Sequence, residues 1–312
     1  MSELDHPVTH PSVRHFLEIT DLSPIELRHV LDLAEAPIEE LPQVLDGAGA
    51  ALIFEKPSNR TRHSMEMAVF QLGGHPIYTR GDEIGLDERE TVEDVTRILA
   101  GYHSLLAARV FAHDTVVRMA AASEIPVVNL LSDYAHPMQA LADVLTMRQL
   151  LGPLGGRIVA WVGDYNNVAR SLAEASVMLG AHVRIGCPDD YGPDEAELER
   201  LGALGPGDVS VHHHPLDAVK GAEAVHTDVW TSMGQEDESE ARRRAFDGWQ
   251  VNDDVMANAA PGALFLHCLP AHRGEEVAAS VIDGPQSHVF LQGHNRLHAA
   301  RGLLVHLLGE PR

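Results

Sequence analysis

The sequence predicts an α/β fold with two domains, each built from a mainly parallel sheet flanked by helices. The chain has 312 residues, which suits about two domains with sizeable cores. Short apolar runs typical of buried strands alternate with segments whose apolar residues recur at helical spacing. A Gly- and Pro-rich stretch at 152–156 separates two such alternating halves and marks the expected boundary between them.

Composition and charge exclude several classes of function. Hydrophobic residues make up 45% of the chain, and the formal net charge of −23 opposes a general role in binding nucleic acids or anionic membranes. The two cysteines, Cys187 and Cys268, do not make a disulfide framework, so a reduced, cytoplasmic setting is expected. No signal-peptide pattern is visible, and no apolar run approaches the ~20 residues of a membrane span.

Strands and helices alternate through the first half of the chain. Ser23 before Pro24, with Glu26 three residues after the serine, predicts a capped helix start. The expected helices are 24–35, 61–72, 91–101 and 114–123, and the expected strands are 50–54, 75–78, 105–111 and 126–130. Such alternation predicts a parallel sheet. The acidic segment 80–90 is interpreted as a solvated loop.

The turn at 54–64, between a strand and a helix, is a candidate anion site. Ser58, Asn59 and Thr61 are capping residue types, which leave backbone N–H groups free at the first helical turn. Those donors and the helix dipole favour a phosphate, which Arg60 can bind bidentately. The basic residues of the turn are Lys56, Arg60 and Arg62. A capped helix with solvated arginines explains the same residue types equally well.

Arginine and histidine residues at the ends of strands and helices are further candidates for functional residues. Arg109 interrupts the end of an otherwise buried strand, where a charge needs a partner or a function. His136 and Gln139 share one face of a helix start, where a histidine tends to be neutral. Arg296 opens an expected C-terminal helix at 296–308, where a cation needs an anion or a carbonyl partner. An edge-strand arginine in solvent and a structural histidine remain as alternatives.

The second half opens with a Rossmann-like βαβ unit. Its strand at 157–162, turn at 163–167 and helix at 168–179 lack the second and third glycines of a dinucleotide fingerprint. Ligands in such sheets bind at the carboxyl ends of strands, which places Asn167 to bind a ligand or simply to cap its helix. The histidines at 212–214 would lie on alternate strand faces without other ligands at suitable spacing, so we expect no metal site there.

Two later strand ends carry unusual polar residues. Asp228 follows an expected strand and precedes the Ser-Met-Gly sequence at 232–234, although an Asx-type turn explains an aspartate there equally simply. The buried strand at 263–266 runs into His-Cys-Leu-Pro at 267–270. A lone buried cysteine is most often inert packing, but the strand end and the following proline favour a function for Cys268.

Taken together, these motifs resemble those of the aspartate/ornithine carbamoyltransferase family. The segment 58–62 resembles its Ser-Thr-Arg-Thr-Arg phosphate loop, and 136–139 resembles its His-Pro-x-Gln element. The segments 163–167, 232–234 and 267–270 resemble features of the ornithine branch, and all occur in the family's order. The chain departs from the family at Asn59, which is usually Thr, at His294, which is usually Glu, and in the loop 80–90, where Glu83 replaces a frequent Gln.

The resemblance implies an architecture and a reaction. Residues 1–147 would form a domain that binds carbamoyl phosphate, residues 148–294 would bind ornithine, and 295–312 would pack back on the first domain. The active site would lie in the interdomain cleft of a homotrimer or a multiple of trimers. The enzyme would transfer the carbamoyl group to the δ-amine of L-ornithine, giving L-citrulline and phosphate in arginine biosynthesis, with no metal or other cofactor.

The resemblance also assigns roles to residues of this chain. The residues implied to bind carbamoyl phosphate are Ser58, Asn59, Arg60, Thr61, Arg109, His136, Gln139, Cys268, Leu269 and Arg296. Those implied to bind ornithine are Asn167, Asp228, Ser232 and Met233, and the catalytic ones are Arg109, His136, Asp228 and Cys268. An unperturbed Cys268 thiol, with a pKa of about 8.5, is expected to help remove the amine proton.

Two alternatives stay open from the sequence. One is a related carbamoyltransferase that uses putrescine or an N-acylated ornithine as acceptor. The other is a protein that binds carbamoyl phosphate or an amino acid without turning it over.

Overall fold

The computed structural model describes residues 13–231 and 236–309 and contains two parallel sheets. The first has strands β1 (Gly49–Phe54), β2 (His75–Arg80), β3 (Leu105–Arg109) and β4 (Val127–Leu131) in the order β2-β1-β3-β4. The second has β5 (Ile158–Val162), β6 (His182–Gly186), β7 (Asp208–His212), β8 (Ala224–Thr227) and β9 (Leu264–His267) in the order β7-β6-β5-β8-β9. All pairings between these strands are parallel, so the predicted fold class is confirmed.

Helices connect these strands and flank both sheets. Those up to residue 151 are α1 (Pro24–Glu35), α2 (Asn59–Gln71), α3 (Gly81–Ile84), α4 (Val92–Ala100), α5 (His113–Ala122) and α6 (Pro137–Leu151). Those that follow are α7 (Asn167–Met178), α8 (Glu195–Gly202), α9 (Pro215–Val219), α10 (Ser239–Ala245), α11 (Asp253–Asn258), α12 (Ala279–Ile282) and α13 (Val289–Leu308). Short 3-10 turns occupy Ile19–Asp21, Ile38–Glu40, Asp189–Tyr191 and Glu236–Glu238.

The local sequence signals predicted some helix starts correctly and others incorrectly. The capping box predicted for α1 is present, because the Ser23 hydroxyl accepts from the Glu26 backbone N–H at 3.3 Å and the Glu26 carboxylate accepts from the Ser23 N–H at 2.8 Å. The predicted start of the C-terminal helix at 296 is wrong, since α13 begins at Val289. Gly293 lies inside this helix, and a Cβ atom added there would meet nothing within 4 Å. The segment 80–90 is also not all loop, because it contains α3.

The last helix joins the two parts of the chain. Helix α13 packs against α1, α2 and α6, and it also contacts β9 of the second sheet. The predicted domain boundaries at 147/148 and 294/295 fall inside α6 and α13, and they remain predictions. Among the described residues, no helix combines the length and the apolar character that crossing a membrane requires.

Candidate functional site

A cleft of about 1130 Å³ opens where the carboxyl ends of both sheets meet. Its wall includes the start of α2, the ends of β3 and β4, the start of α6, the β5–α7 turn, the segments after β8 and β9, part of α10 and one residue of α13. The predicted site residues on this wall are Ser58, Asn59, Arg60, Arg109, His136, Asn167, Asp228, Cys268, Leu269 and Arg296. Thr61 and Gln139 are buried beside it.

The start of α2 forms one end of the cleft. Ser58 is the N-cap, and its hydroxyl accepts from the Thr61 backbone N–H at 3.4 Å and donates to the Thr61 hydroxyl at 3.0 Å. Asn59 is the first helical residue, so its backbone N–H belongs to the unpaired donors at the positive end of the helix dipole. This geometry suits an anion with several oxygen atoms.

Three arginines meet beside this helix start. Arg296 donates to the Thr61 hydroxyl at 2.6 Å, and Arg109 approaches the same oxygen at 3.5 Å. Arg60 donates to the Leu269 carbonyl at 2.6 Å. Among the described residues, none of these three guanidinium groups has a carboxylate ion-pair partner.

Burial makes this cluster of cations costly without an anion. Arg109 and Arg296 are each 5% exposed, and burial lowers the pKa of each to about 10. Repulsion between neighbouring guanidinium groups contributes to both lowered pKa values. A bound dianion would relieve both effects, so the cluster indicates a site for a phosphate-bearing ligand.

His136 and Gln139 lie at the start of α6. The His136 backbone N–H donates to the Ser171 hydroxyl of α7 at 3.0 Å, which holds the helix start in place. Burial, and then the positive charges of Arg296 and Arg109, keep the pKa of His136 well below its ordinary value, so the imidazole is neutral. Gln139 is fully buried, and its side-chain oxygen has no hydrogen-bond partner among the described residues.

Asp228 and Cys268, in the segments after β8 and β9, form a hydrogen-bonded pair in the cleft wall. The Cys268 thiol donates to Asp228 Oδ1 at 3.1 Å, and the Asn166 amide donates to Asp228 Oδ2 at 3.1 Å. Burial, with the adjacent Asp228 carboxylate, raises the pKa of the Cys268 thiol well above its ordinary value. The expected unperturbed thiol pKa is therefore wrong, because the buried sulfur is held protonated as a donor.

The side chain of Asn167 is available to bind a ligand, because Asn166, and not Asn167, caps the start of α7. The Asn166 side chain accepts from the backbone N–H groups of Val168 and Ala169 at 3.0 and 3.1 Å, so it caps α7. Asn167 instead donates to the Ser132 carbonyl at 2.6 Å and lines the cleft. The predicted ornithine-binding residues Ser232 and Met233 lie outside the described residues.

The loop after β9 is held by His267. Its Nδ1 accepts from the Leu269 backbone N–H at 2.9 Å, and its Nε2 lies 3.1 Å from the Glu276 carboxylate. His267 groups with Asp228 and Cys268 in a set of possible metal ligands, but both of its ring nitrogens are engaged in these bonds. The loop thereby presents the Leu269 carbonyl and the Cys268 thiol to the cleft.

Several residues of the site escaped the sequence analysis. Asn166 could have been found as the better cap at the start of α7, since it directly precedes the first helical residue. The run of arginines at 242–244 predicts a solvated helix face, which is wrong for Arg242, because it is buried, lines the cleft and pairs with Asp164 at 2.8 Å. Asp143 contacts Gln139, and the four-residue spacing of the two on one helix was the available signal.

Known proteins resemble this chain over most of its length. An ornithine carbamoyltransferase from Acidothermus cellulolyticus is 47% identical over 302 residues, covering 95% of this chain and 97% of the relative. An anabolic ornithine carbamoyltransferase from Pyrococcus furiosus is 46% identical over 268 residues, covering 85% of each chain. The solved structure of an ornithine carbamoyltransferase from Pyrococcus furiosus is 42% identical with a TM-score of 0.91, covering 96% of this chain and 99% of that one.

Two family models match consecutive parts of the chain. The model of the carbamoyl-P binding domain of aspartate/ornithine carbamoyltransferase matches residues 14–149. The model of the Asp/Orn binding domain matches residues 155–307. Together with the relatives described above, these matches show that this protein belongs to the aspartate/ornithine carbamoyltransferase family.

Proposed function

We propose that this protein is an ornithine carbamoyltransferase, which converts carbamoyl phosphate and L-ornithine into L-citrulline and phosphate in arginine biosynthesis. The observation that carries the proposal is the cluster of Arg60, Arg109 and Arg296 at the start of α2. Arg109 and Arg296 are buried, Arg60 is partly buried, and none of the three pairs with a carboxylate among the described residues. The names of the relatives, including an anabolic one, support ornithine as the acceptor and biosynthesis as the direction.

The phosphate of carbamoyl phosphate would bind at the start of α2. Ser58, Asn59, Arg60 and Thr61 would hold it through backbone N–H groups, hydroxyls and the guanidinium group. Asn59 in place of threonine preserves the backbone donor and a short polar side chain. These contacts stabilise the dianion that leaves when the C–O bond breaks.

The carbonyl oxygen of the substrate would face Thr61, Arg109 and His136. Negative charge grows on this oxygen as the δ-amine attacks and a tetrahedral intermediate forms, and one preorganised donor is worth about 3 kcal/mol in comparable sites. The lowered pKa of His136 suits this role, because a neutral imidazole donates one hydrogen bond without adding another buried charge. The amide nitrogen would donate to Gln139 and to the Leu269 carbonyl, and Arg296 would help to orient the group.

The acceptor would bind against the second sheet. Asn167, with Ser232 and Met233, would hold the amino-acid end of ornithine, and Asp228 would meet the δ-ammonium group. A free alkyl amine has a pKa of about 10.4, so the site must remove a proton before attack. Asp228 would accept that proton, and the Cys268 thiol would orient its Oδ1 by donating a hydrogen bond to it.

Organisation and location complete the proposal. Residues 1–147 would bind carbamoyl phosphate, residues 148–294 would bind ornithine, and the protein would work in the cytoplasm as a homotrimer or a multiple of trimers. Large apolar side chains are exposed on and beside α2, β2 and α4, which supports an interface between copies there. They are Met67, Phe70, Ile77, Ile98 and Tyr102.

The test is citrulline formation with a panel of acceptors. We expect efficient product from ornithine, and kcat/KM at least 100-fold lower with putrescine, N-acetylornithine or aspartate. Product from another acceptor would reassign the substrate, and no product from any of them while phosphate still binds would indicate a protein that binds without turnover.

An arginine variant tests the observation that carries the proposal. Arg109→Met removes a buried, uncompensated charge, so we expect an unchanged or raised Tm together with a KM for carbamoyl phosphate at least 100-fold higher. Arg244→Met, at an exposed position off the cleft, is the matched control and should change neither. An active Arg109→Met enzyme with a normal KM would contradict the assignment.

A further inference from the structure

Asp143 is a buried carboxylate that does not line the cleft but contacts two residues that shape it. It lies on α6, is 1% exposed, and its Oδ1 accepts from the side-chain amide of Gln139 at 2.7 Å and from that of Gln292 at 2.6 Å. Helix α13 carries Gln292, so this single oxygen joins α6 to α13. Burial raises the pKa of Asp143 to about 6, which leaves it ionised at neutral pH.

An ionised carboxylate determines which way each glutamine amide faces. It accepts hydrogen bonds but cannot donate them, so both glutamines present their NH₂ groups to Asp143. The side-chain oxygen of each planar amide therefore points away from Asp143. For Gln139 this oxygen is buried and has no partner among the described residues, which leaves it available to a ligand.

The second glutamine orients the loop that bears the other acceptor. The Gln292 side-chain oxygen accepts from the His267 backbone N–H at 2.9 Å. The His267 ring in turn accepts from the Leu269 backbone N–H at 2.9 Å, so the loop is fixed where it presents the Leu269 carbonyl. One carboxylate thus controls two acceptor oxygens, one on Gln139 directly and one on Leu269 through Gln292 and His267.

We propose that Asp143 is a positioning residue that makes the site selective for the amide nitrogen of carbamoyl phosphate by orienting Gln139 and Gln292. The inference rests on the part of the proposed function that places carbamoyl phosphate in this cleft. A carbamoyl NH₂ group has two N–H donors. The site provides two acceptors, the Gln139 side-chain oxygen and the Leu269 carbonyl, and Asp143 orients the first directly and the second through Gln292 and His267. Without that carboxylate, the Gln139 amide is free to turn and set donor against donor, which favours substrates that lack the amine.

Ligand binding without ornithine measures this selectivity directly. The probes are carbamoyl phosphate, acetyl phosphate, in which a methyl group replaces the amine, and inorganic phosphate. We expect the wild-type protein to bind carbamoyl phosphate at least tenfold more tightly than acetyl phosphate. Asp143→Leu, of similar volume but with no acceptor, should reduce this preference to less than threefold while phosphate affinity changes by no more than about twofold.

Three further variants separate orientation from general stability. Asp143→Asn retains one acceptor oxygen and should keep most of the preference. If Asp143→Leu does not fold, Asp143→Ser replaces it, because a hydroxyl both donates and accepts and no longer dictates the amide orientation. Thr146→Val is the matched control: Thr146 accepts from Asn295 of α13 at 2.9 Å, so the change removes an α6–α13 bond without touching Gln139, and the preference should persist.

These measurements distinguish failure of the role proposed for Asp143 from failure of the proposed function. Retention of the preference in Asp143→Leu, or an equal loss of affinity for all three ligands, would overturn the proposal in favour of a purely structural carboxylate. A wild-type protein that shows the preference but makes no citrulline would refute the proposed acceptor while leaving the role of Asp143 intact, because these measurements omit ornithine.

Discussion

At the scale of single residues, Cys268 shows how burial redirects a side chain's chemistry. An exposed thiol has a pKa of about 8.5. Cys268 is partly buried and donates to Asp228 at 3.1 Å, and both effects raise its pKa well above the ordinary value. The thiol donates its hydrogen bond to Asp228, the same carboxylate that is proposed to accept a proton from the substrate amine. The thiol therefore orients a base in the resting site, and thiolate chemistry is disfavoured there.

This view predicts different effects for two substitutions of Cys268. Cys268→Ala removes the donor to Asp228, and we expect kcat for citrulline formation to fall about tenfold to 100-fold, as for other lost contacts to a charged group. Cys268→Ser keeps a donor and should recover most of the rate. Steady-state kinetics with varied ornithine would show both effects, and a serine variant as slow as the alanine variant would mean that the sulfur itself carries a proton in the reaction.

At the scale of elements, the approach of α13 to α1 depends on a glycine. A Cβ atom at Gly302 would overlap the Val30 carbonyl oxygen and would lie 2.7 Å from the Ala34 backbone nitrogen. The same helix contains Gly293, where an added Cβ would meet nothing within 4 Å. The two glycines therefore differ in tertiary surroundings while sharing one helix.

Alanine at these two positions should have opposite effects on stability. Gly302→Ala forces α13 away from α1, and we expect a loss of about 1–3 kcal/mol in the free energy of unfolding. Gly293→Ala adds helix propensity without a clash and should gain up to about 1 kcal/mol. Urea unfolding would measure both, and equal effects at the two sites would contradict the packing described for α13.

At the scale of the whole molecule, a buried ion cluster joins the early chain to the second half. Glu174 of α7 is fully buried, and it accepts from Arg200 at 2.8 Å and lies 3.5 Å from Arg170. Arg170 also lies 3.6 Å from Glu18, near the start of the described chain. Burial outweighs the attraction of both arginines and raises the pKa of Glu174 from its ordinary 4.5 to about 7.

This raised pKa predicts a defined dependence of stability on pH. The folded state holds the Glu174 proton more tightly than the unfolded state, so the stability due to this group falls as pH rises from about 4.5 to about 7. Glu174→Gln removes the titration, and its stability relative to wild type should rise by up to about 3 kcal/mol across that window. Urea unfolding at pH 4.5, 6 and 7.5 tests this. A constant difference would mean that Glu174 is ionised throughout.

The sequence by itself determined the fold class, and it predicted most of the candidate site residues that line the cleft. Short apolar runs and capping signals specify strands and helices locally. The order of the motifs along the chain, by its resemblance to a known family, then assigned Arg109, Asp228 and Cys268 to a single cleft, and all three line it. The sequence motifs also predicted Thr61 and Gln139 as site residues, and the structure places both in buried positions beside the cleft.

Only the tertiary structure determined the protonation states of the site's side chains and the buried hydrogen bonds that orient them. Burial, which no local pattern reports, raises the pKa of the Cys268 thiol and keeps it protonated. Burial also lowers the pKa of His136, which reinforces the neutral state expected from its position at a helix start. The link from Asp143 to Gln292 joins residues 149 positions apart. Local sequence encodes propensity over a few residues, whereas desolvation and long-range hydrogen bonds exist only once distant segments pack together.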